Sequence, residues 1–209
     1  SAIRGAAELL GEKMDAERRE RFLSKIRTEA DRIQDIVDRM LELSVLENRT
    51  ELEKRERVSF SVLLRTVLES KQAMLEKKGI EVVTDTPAEV FVTGEVFLLH
   101  QAVSNLLQNA IDFSPSDASI ELSAKADGDR LILVISDHGP GIPDYAKDKV
   151  LDKFYSLQRP DTGEKSTGLG LNFVKEVATL HGGSIEIANR PDGGLRARFT
   201  LSTLEGEGA

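Results

Sequence analysis

The sequence contains no cysteine, and this absence excludes several kinds of chemistry at once. A chain without thiols forms neither disulfides nor thiolate zinc sites, and it has no cysteine nucleophile. The composition therefore fits a reducing compartment, and any catalytic or metal-binding site must be built without thiolates.

Long hydrophobic runs and a positive net charge are missing as well. No apolar stretch approaches the roughly 18 residues that a helix needs to cross a bilayer. The formal net charge of −8 argues against sequence-independent binding to nucleic acid phosphates. What is present, 40% apolar and 31% charged residues, is typical of a soluble globular protein. The 209 residues leave room for one domain of about 150 residues and a smaller one.

The first section, residues 1–48, is predicted to be a helical hairpin. SAIRGAAELL, Ser1–Leu10, has apolar residues at helical spacing, and the Gly and Asp of GEKMDAE, Gly11–Glu17, signal a stop and a new start. The long helix that follows carries a stripe of apolar residues: Ile26, Ala30, Ile33, Val37 and Met40. Because two antiparallel helices bury too little surface alone, we expect pairing with a second copy in a four-helix bundle. Packing against the chain's own second domain is the alternative.

A change of pattern separates this section from the rest. The segment Glu47–Arg57 has a single apolar residue, Leu52, and residues 49–58 are therefore predicted to be a solvated linker. Residues 59–209 form the second predicted domain. Helices are expected over about Ser61 to Lys78 and Glu95 to Phe113.

The second domain is predicted to have an α+β fold, an α/β sandwich with a mixed sheet. Two pairs of apolar strands flank turn signals, at Asp127-Gly128-Asp129 and at Pro191-Asp192-Gly193-Gly194. Between these hairpins, about residues 138–167 have little periodicity and several Pro and Gly, which is typical of a functional lid. Helices and strands segregate along the chain, so a doubly wound βαβ fold is not expected.

Two asparagines stand four residues apart in NLLQNAIDF. On a helix this spacing places the carboxamides of Asn105 and Asn109 on one face, while the neighbouring Leu, Ala and Ile residues face the core. An amide oxygen is a hard, neutral ligand that suits Mg²⁺. An isolated pair of this kind is more often merely exposed or capping, so the asparagines indicate a metal site only in combination with other motifs.

The segment DHGPGIP ends an apolar strand with Asp137, followed by Gly139 and Gly141. A carboxylate accepts hydrogen bonds and does not donate them, so it accepts from the amine of adenine and repels the carbonyl oxygen of guanine. The glycines allow the backbone to approach a ligand closely. A strand that ends in a Gly-rich turn explains D-x-G-x-G equally well when the motif is taken alone.

The segment STGLGL leads directly into the helical pattern NFVKEVATL. Gly168 and Gly170 therefore stand where a helix begins, and free N–H groups with the positive end of the helix dipole face any bound anion. Many helices begin after Gly and Thr without binding anything, so this signal too is moderate alone.

The order and spacing of these three segments resemble the ATP-binding domain shared by sensor histidine kinases, gyrase-type ATPases, Hsp90-type chaperones and mismatch-repair ATPases. The resemblance covers about Ser59 to Leu204. No P-loop, G-x-G-x-x-G or H-R-D motif competes with it. The resemblance implies ATP or ADP as the ligand and Mg²⁺ as the metal.

One position separates the branches of this superfamily. The hydrolysing branches resemble each other in a glutamate base four residues before the metal-binding asparagine, and Asn105 stands there in this chain. A carboxamide is not a useful general base, so the histidine kinase branch is favoured. The segments RGAAELL, NAIDF, GIPDYA and FYSLQRP resemble carbon-source-responsive sensors of the CreC type.

The resemblance assigns expected roles residue by residue. It implies that Asn109 binds Mg²⁺, that Asn105 is the catalytic, phosphate-side asparagine, and that Asp137 reads adenine. Further nucleotide-binding positions implied by it are Gly139, Gly141, the lid aromatic Phe154, and the phosphate-facing turn Gly168, Leu169, Gly170 and Leu171.

Two positions depart from the pattern of the family. Asp112 stands where many relatives have Lys, and Ser156 stands where many have Arg. Both departures remove positive charge near the expected phosphates. Either Arg159 or Lys165 in the lid is a candidate to replace that charge, and the sequence leaves the choice open.

The resemblance also implies what the hairpin does. Sensor kinases carry H-E-L-K-[ST]-P-L-[ST]-x-I on the first helix of a dimerising hairpin, and Ser1–Ile3 is similar to the tail of that motif. The acceptor histidine is thus expected shortly before Ser1. His100, His138 and His181 all lie in the second domain, outside any such motif, and are expected to be structural or ligand-adjacent.

The expected function is therefore that of a fragment of a protein-histidine kinase. The fragment is expected to bind ATP·Mg²⁺ without labelling itself, to form a homodimer, and to belong to the cytoplasmic portion of an inner-membrane sensor whose partner is a response regulator. The alternatives are a slow ATPase or serine kinase of the same superfamily, and a non-catalytic nucleotide-binding scaffold.

Overall fold

The computed structural model describes residues 16–87, 89–163 and 165–203. The chain divides into two compact units, Ser1–Val45 and Leu46–Ala209. The predicted opening helix at Ser1–Leu10 lies outside the described residues. Among the described residues, no helix combines the length and the apolar character that crossing a membrane requires.

The predicted long helix of the first section is confirmed as α1, Ala16–Glu47. The apolar stripe along this helix leaves several large side chains about half exposed or more: Ile33, Val37, Met40, Leu41 and Val45. A single helix buries only the side chains that another element covers, so this face of α1 is available for packing.

The second unit contains the remaining helices and strands of the described residues. The α-helices are α2, Phe60–Lys78, α3, Val96–Phe113, and α4, Gly170–Leu180, and a short 3-10 helix spans Asp144–Ala146. The strands are β1, Glu56–Ser59, β2, Glu81–Asp85, β3, Phe91–Gly94, β4, Ser119–Asp127, β5, Arg130–Ser136, β6, Ser184–Asn189, and β7, Leu195–Ser202. The predicted α2 and α3 are confirmed, each within one residue at its start.

The main sheet has the strand order β2-β4-β5-β7-β6. Strand β2 pairs with β4 in parallel, and the other neighbours are antiparallel. The sheet is therefore mixed, which confirms the predicted α+β class, and both predicted hairpins are present as β4–β5 and β6–β7. Strands β1 and β3 form a separate two-stranded antiparallel sheet.

The core lies between the sheet and the helices. Fully buried side chains from α3 and from the central strands meet there, among them Leu99, Leu107, Leu131, Leu133 and Phe199. Burying such apolar side chains is the main favourable contribution to folding. The core fixes α3 on the sheet beside the end of β5, and it thereby places Asn109 near Asp137.

Candidate functional site

A cavity lies between α3, the end of β5, the β6–β7 hairpin and the segment that joins β5 to α4. We term that joining segment, residues 137–169, the lid. The cavity is lined by residues from all of these elements, including Asn109, Phe113, Asp137, Gly141, Ile142, Tyr155, Ser156, Ser166, Gly168, Gly170 and Ile187. Three segments that are far apart in sequence are thus brought to one concave site, as expected of a ligand pocket.

The two asparagines of α3 lie about one helical turn apart, and only Asn109 is among the residues that line this cavity. Asn105 lies against the first turn of α4, where a Cβ built on Gly170 would be 3.7 Å from the Asn105 Cγ. Among the described residues, no group of three His, Cys, Asp or Glu side chains could hold a metal ion. The Asn109 amide oxygen is a hard, neutral donor of the kind that suits Mg²⁺.

Asp137 is held in a fixed orientation at the end of β5. Its side chain is buried, and its Oδ1 accepts the N–H of Gly139 at 2.8 Å and of Leu195 at 3.1 Å. Burial raises the pKa of the Asp137 carboxyl, and the two backbone N–H donors oppose that rise. Both protein donors bind Oδ1, and Asp137 is one of the residues that line the cavity.

The two glycines after Asp137 have different roles. Gly141 lines the cavity and has a φ of +71°, a conformation that favours glycine. Gly139 faces the end of α3 instead, since a Cβ there would lie 2.6 Å from the carbonyl oxygen of Phe113. The D-x-G-x-G pattern therefore both shapes the cavity and packs the turn against the asparagine helix.

Sequence reasoning missed two residues that hold this turn. The Asn189 Oδ1 accepts from the Ile142 N–H at 2.7 Å, and its Nδ2 donates to the Ile142 carbonyl at 2.8 Å. A Cβ on Gly194 would lie 2.0 Å from the carbonyl oxygen of Asp137, so only glycine fits there. Both residues belong to the β6–β7 hairpin, which the sequence identified only as a turn.

The lid is folded on itself over the cavity. An apolar cluster of Ile142, Ala146 and Val150 packs against partly buried residues of the lid, the start of α4 and the β6–β7 hairpin: Leu151, Tyr155, Leu157, Leu171, Ile187 and Leu195. Phe154, expected as the lid aromatic, is 57% exposed and does not line the cavity. Its neighbour Tyr155 does.

The two ends of the lid are joined beside α4. The Phe154 N–H donates to the Gly168 carbonyl at 3.0 Å, and Ser156 Oγ accepts from the Ser166 N–H at 3.0 Å. Gly168 has a φ of +70° and touches the Phe154–Tyr155 peptide closely. Leu169 is buried, whereas Gly170 and Leu171 line the cavity at the start of α4.

The two candidate lid cations have different surroundings. The Arg159 Nη2 lies 2.6 Å from the Asp112 Oδ2, so the guanidinium is engaged by the carboxylate that replaces the usual lysine. Lys165 pairs with Gln158 in an isolated antiparallel bridge. Ser156, the other departure from the family pattern, links the two arms of the lid through its hydroxyl.

The histidines have structural contacts. His181 is buried: its Nε2 accepts the Glu95 N–H at 3.2 Å, and its Nδ1 donates to the Val177 carbonyl at 2.7 Å. The bond from Glu95 requires an unprotonated Nε2, and burial lowers the pKa of His181 accordingly. His138 Nδ1 lies 2.9 Å from the Ser119 carbonyl oxygen.

Comparisons with known proteins assign the chain to a family. The family model for histidine kinase-, DNA gyrase B- and HSP90-like ATPases matches residues 94–205, and the model for the histidine kinase A phospho-acceptor domain matches residues 1–49. The chain therefore belongs to the family of histidine kinase-, DNA gyrase B- and HSP90-like ATPases, and its additional phospho-acceptor match is that of a sensor histidine kinase.

Individual relatives support the predicted resemblance to sensor kinases, including sensors of the CreC type. The chain is 44% identical over 201 residues to the sensor protein CreC of Escherichia coli, covering 96% of the chain and 42% of CreC. It is 30% identical over 201 residues to the sensor-like histidine kinase SenX3 of Mycolicibacterium smegmatis, covering 96% and 52%. The chain thus spans about half or less of the length of these relatives. The predicted resemblance to sensors of the CreC type is confirmed.

A solved structure extends the likeness to three dimensions. Full-length ShkA in complex with AMPPNP matches with a TM-score of 0.72 and 25% identity, covering 97% of this chain and 43% of ShkA. The family match implies binding of ATP or ADP.

Proposed function

We propose that these 209 residues are the nucleotide-binding part of a protein-histidine kinase, which holds ATP·Mg²⁺ for transfer of the γ-phosphoryl group to a histidine. The observation that carries this proposal is the orientation of Asp137. Its Oδ1 is occupied by two backbone donors, and Asp137 lines a cavity that Asn109 and Gly168 also line. That ShkA, a structural relative, was solved in complex with AMPPNP supports a nucleotide as the ligand.

Each side chain contributes binding and orientation rather than covalent chemistry. Asp137 accepts a hydrogen bond from the adenine amine, and the start of α4 at Gly170 presents N–H groups to phosphate oxygens. Asn109 is the residue that would hold Mg²⁺, which neutralises phosphate charge when it is bound. Asn105 supplies no general base, so the attack of water is slow and the phosphoryl group is kept for another acceptor.

We further propose that the acceptor histidine is supplied by a segment outside these 209 residues. Residues 1–49, which match the phospho-acceptor model, contain no histidine. His181 is buried and makes hydrogen bonds to Glu95 and Val177, which supports a structural role. Because the cellular pool of ATP is cytoplasmic, we propose that the chain works there, as part of a membrane-anchored sensor that phosphorylates a response regulator.

Calorimetry with ADP and Mg²⁺ tests the nucleotide site. Asp137→Asn is expected to weaken ADP binding at least about tenfold, because an amide presents a donor to the adenine amine. Asn109→Ala is expected to reduce the gain in affinity that Mg²⁺ gives. Asp129→Asn, in the exposed β4–β5 turn, is the matched control and should bind like the wild type.

The alternatives predict different results in the same assays. If ADP does not bind, or if both site variants bind it like the wild type, the chain is a scaffold and the proposal fails. Rapid phosphate release from ATP would indicate an ATPase instead. Base-stable, acid-labile label from γ-labelled ATP on this chain would contradict the assignment of the acceptor to another segment.

A further inference from the structure

The middle of the lid carries two ion pairs of opposite polarity. Arg159 Nη2 lies 2.6 Å from Asp112 Oδ2 at the end of α3, and Asp161 Oδ2 lies 2.7 Å from Lys78 Nζ at the end of α2. The lid thus presents a cation and, two residues later, an anion, while the helices present the complementary charges. A displaced lid would bring like charges together, so the two pairs define one position.

The helix residues of the two ion pairs, Lys78 and Asp112, make further hydrogen bonds. Lys78 Nζ also donates to the carbonyl of Ile111 at 2.7 Å, where a cation at a helix carboxyl end is favourable. Asp112 Oδ1 accepts from Gln108 Nε2 at 2.9 Å. The side chain of Asp112 is 12% exposed and that of Arg159 is 30% exposed. Such partly desolvated pairs contribute more than fully exposed pairs do, and removing one partner is costly.

The anchored segment lies between two stretches that line the cavity. Leu157 precedes it and Ser166 follows it, and both line the cavity. The Gly163 N–H donates to the Arg159 carbonyl at 2.9 Å, which closes a tight turn around Asp161. A turn that is internally bonded moves as a unit, so fixing its two charges also fixes the cavity-lining residues on either side.

We propose that Asp112 and Lys78 are positioning residues that hold the lid over the nucleotide site through Arg159 and Asp161. The proposal rests on the proposed function in that the cavity under the lid is taken to be the nucleotide site. In this arrangement Asp112, at the position where many relatives place a lysine, holds the lid instead of contacting phosphate.

Hydrogen exchange of the nucleotide-free full chain, followed by mass spectrometry, tests this proposal. Asp112→Asn and Arg159→Gln are each expected to speed exchange of the lid amides of residues 154–168 about tenfold, because each variant releases the same tie. The double variant should exchange no faster than either single variant, and Arg159→Lys should restore part of the protection.

The control variant removes a different ion pair and leaves the pairs of Arg159 and Asp161 in place. Lys147 Nζ lies 2.7 Å from Asp144 Oδ1, with side chains 51% and 95% exposed, so Lys147→Gln should leave lid exchange unchanged. Unchanged exchange in Arg159→Gln, or additive effects in the double variant, would overturn the proposal. Faster exchange of the α3 amides in Asp112→Asn would show that this variant loosens the helix itself. In that case the result for Arg159→Gln decides the proposal, because that substitution leaves α3 intact.

The test separates this proposal from the proposed function. The protection of the lid amides from hydrogen exchange is measured without nucleotide, so it reports on the ion pairs alone. An ADP titration of the wild type in the same experiment reports on the nucleotide site. Failure of ADP to bind would remove the nucleotide role and leave the positioning of the lid established.

Discussion

Two buried ionisable side chains, Asp137 and His181, show how position sets the chemistry of a residue. Burial raises the pKa of the Asp137 carboxyl and lowers the pKa of His181, because in both cases it disfavours the charged form. The carboxylate is stabilised in part by N–H donors, whereas the histidine is kept neutral to accept the Glu95 N–H. The first faces a ligand cavity, and the second joins α3 to α4.

The neutral state of His181 predicts a pH dependence of stability. The unfolded chain, with an ordinary histidine pKa, binds more protons below about pH 6.5 than the folded chain does, so the free energy of unfolding falls as the pH drops from that value. Tyrosine fluorescence in urea measures it for the second unit alone, since both tyrosines, Tyr145 and Tyr155, lie there.

A variant separates this contribution from other titrations. His181→Gln should cost about 1–3 kcal/mol at pH 7.5, because the buried Glu95 N–H loses its partner. The variant should also lose the part of the acid destabilisation that lies between pH 7.5 and 5.5. His100→Gln is the matched control, because it removes a histidine that does not bond the Glu95 N–H. Equal slopes in His181→Gln and wild type would contradict the assigned role.

At the residue scale, sequence reasoning found the groups with distinctive chemistry and missed those defined by their partners. Asp137 and Asn109 stand in recognisable local patterns, and the structure brings both to one cavity. Asn189 bonds a backbone 47 positions earlier in the chain, and no local pattern reports such a contact. Phe154 and Tyr155 are adjacent aromatics, and only the lid conformation decides which one faces inward.

At the element scale, the turn before α4 sets a strict steric requirement. Gly168 and Gly163 both have positive φ, +70° and +67°. A Cβ on Gly168 would lie 2.5 Å from the Phe154 carbonyl carbon, whereas a Cβ on Gly163 would meet nothing within 4 Å. The two glycines therefore share backbone strain and differ in crowding.

This difference predicts unequal effects of the same substitution. Gly168→Ala should displace the Phe154–Tyr155 arm and weaken ADP binding about tenfold or more, while Gly163→Ala costs only about 1 kcal/mol of backbone strain and leaves affinity nearly unchanged. Calorimetry on both variants is the measurement. Similar affinities in the two variants would show that the lid end does not shape the site.

The regular elements were largely predictable, and the lid was not. Helix α2 ends at Gly79, whose φ of +67° accommodates the left-handed cap, and the sequence signalled that end directly. Apolar alternation and turn residues likewise announced both hairpins. The lid has little repeating pattern, and its form depends on contacts with α3, β6 and β7 that only the folded chain creates.

At the scale of the whole molecule, the exposed apolar face of α1 remains to be covered. We expect a second copy of the chain to cover it in a four-helix bundle. The match of residues 1–49 to the phospho-acceptor model supports this expectation. Val37→Glu combined with Met40→Glu should shift the dimer to monomer in analytical ultracentrifugation, since two charges would then be buried at the interface.

A control tests whether that face is the interface. Thr28 is exposed on the side of α1 opposite to Val37 and Met40, so Thr28→Glu should leave the dimer intact. A wild-type chain that is monomeric at all accessible concentrations would contradict the dimer. Equal dissociation by Thr28→Glu would place the contact elsewhere on the helix.

The pairing of Asn189 with Ile142 also has a mechanical consequence. One side chain supplies both bonds that a neighbouring strand would supply, so the backbone at residue 142 is fastened to the sheet. At the other end, Gly170 opens a helix that is packed into the core. Both ends of the lid are therefore anchored, and any conformational change of the lid is confined to the residues between them.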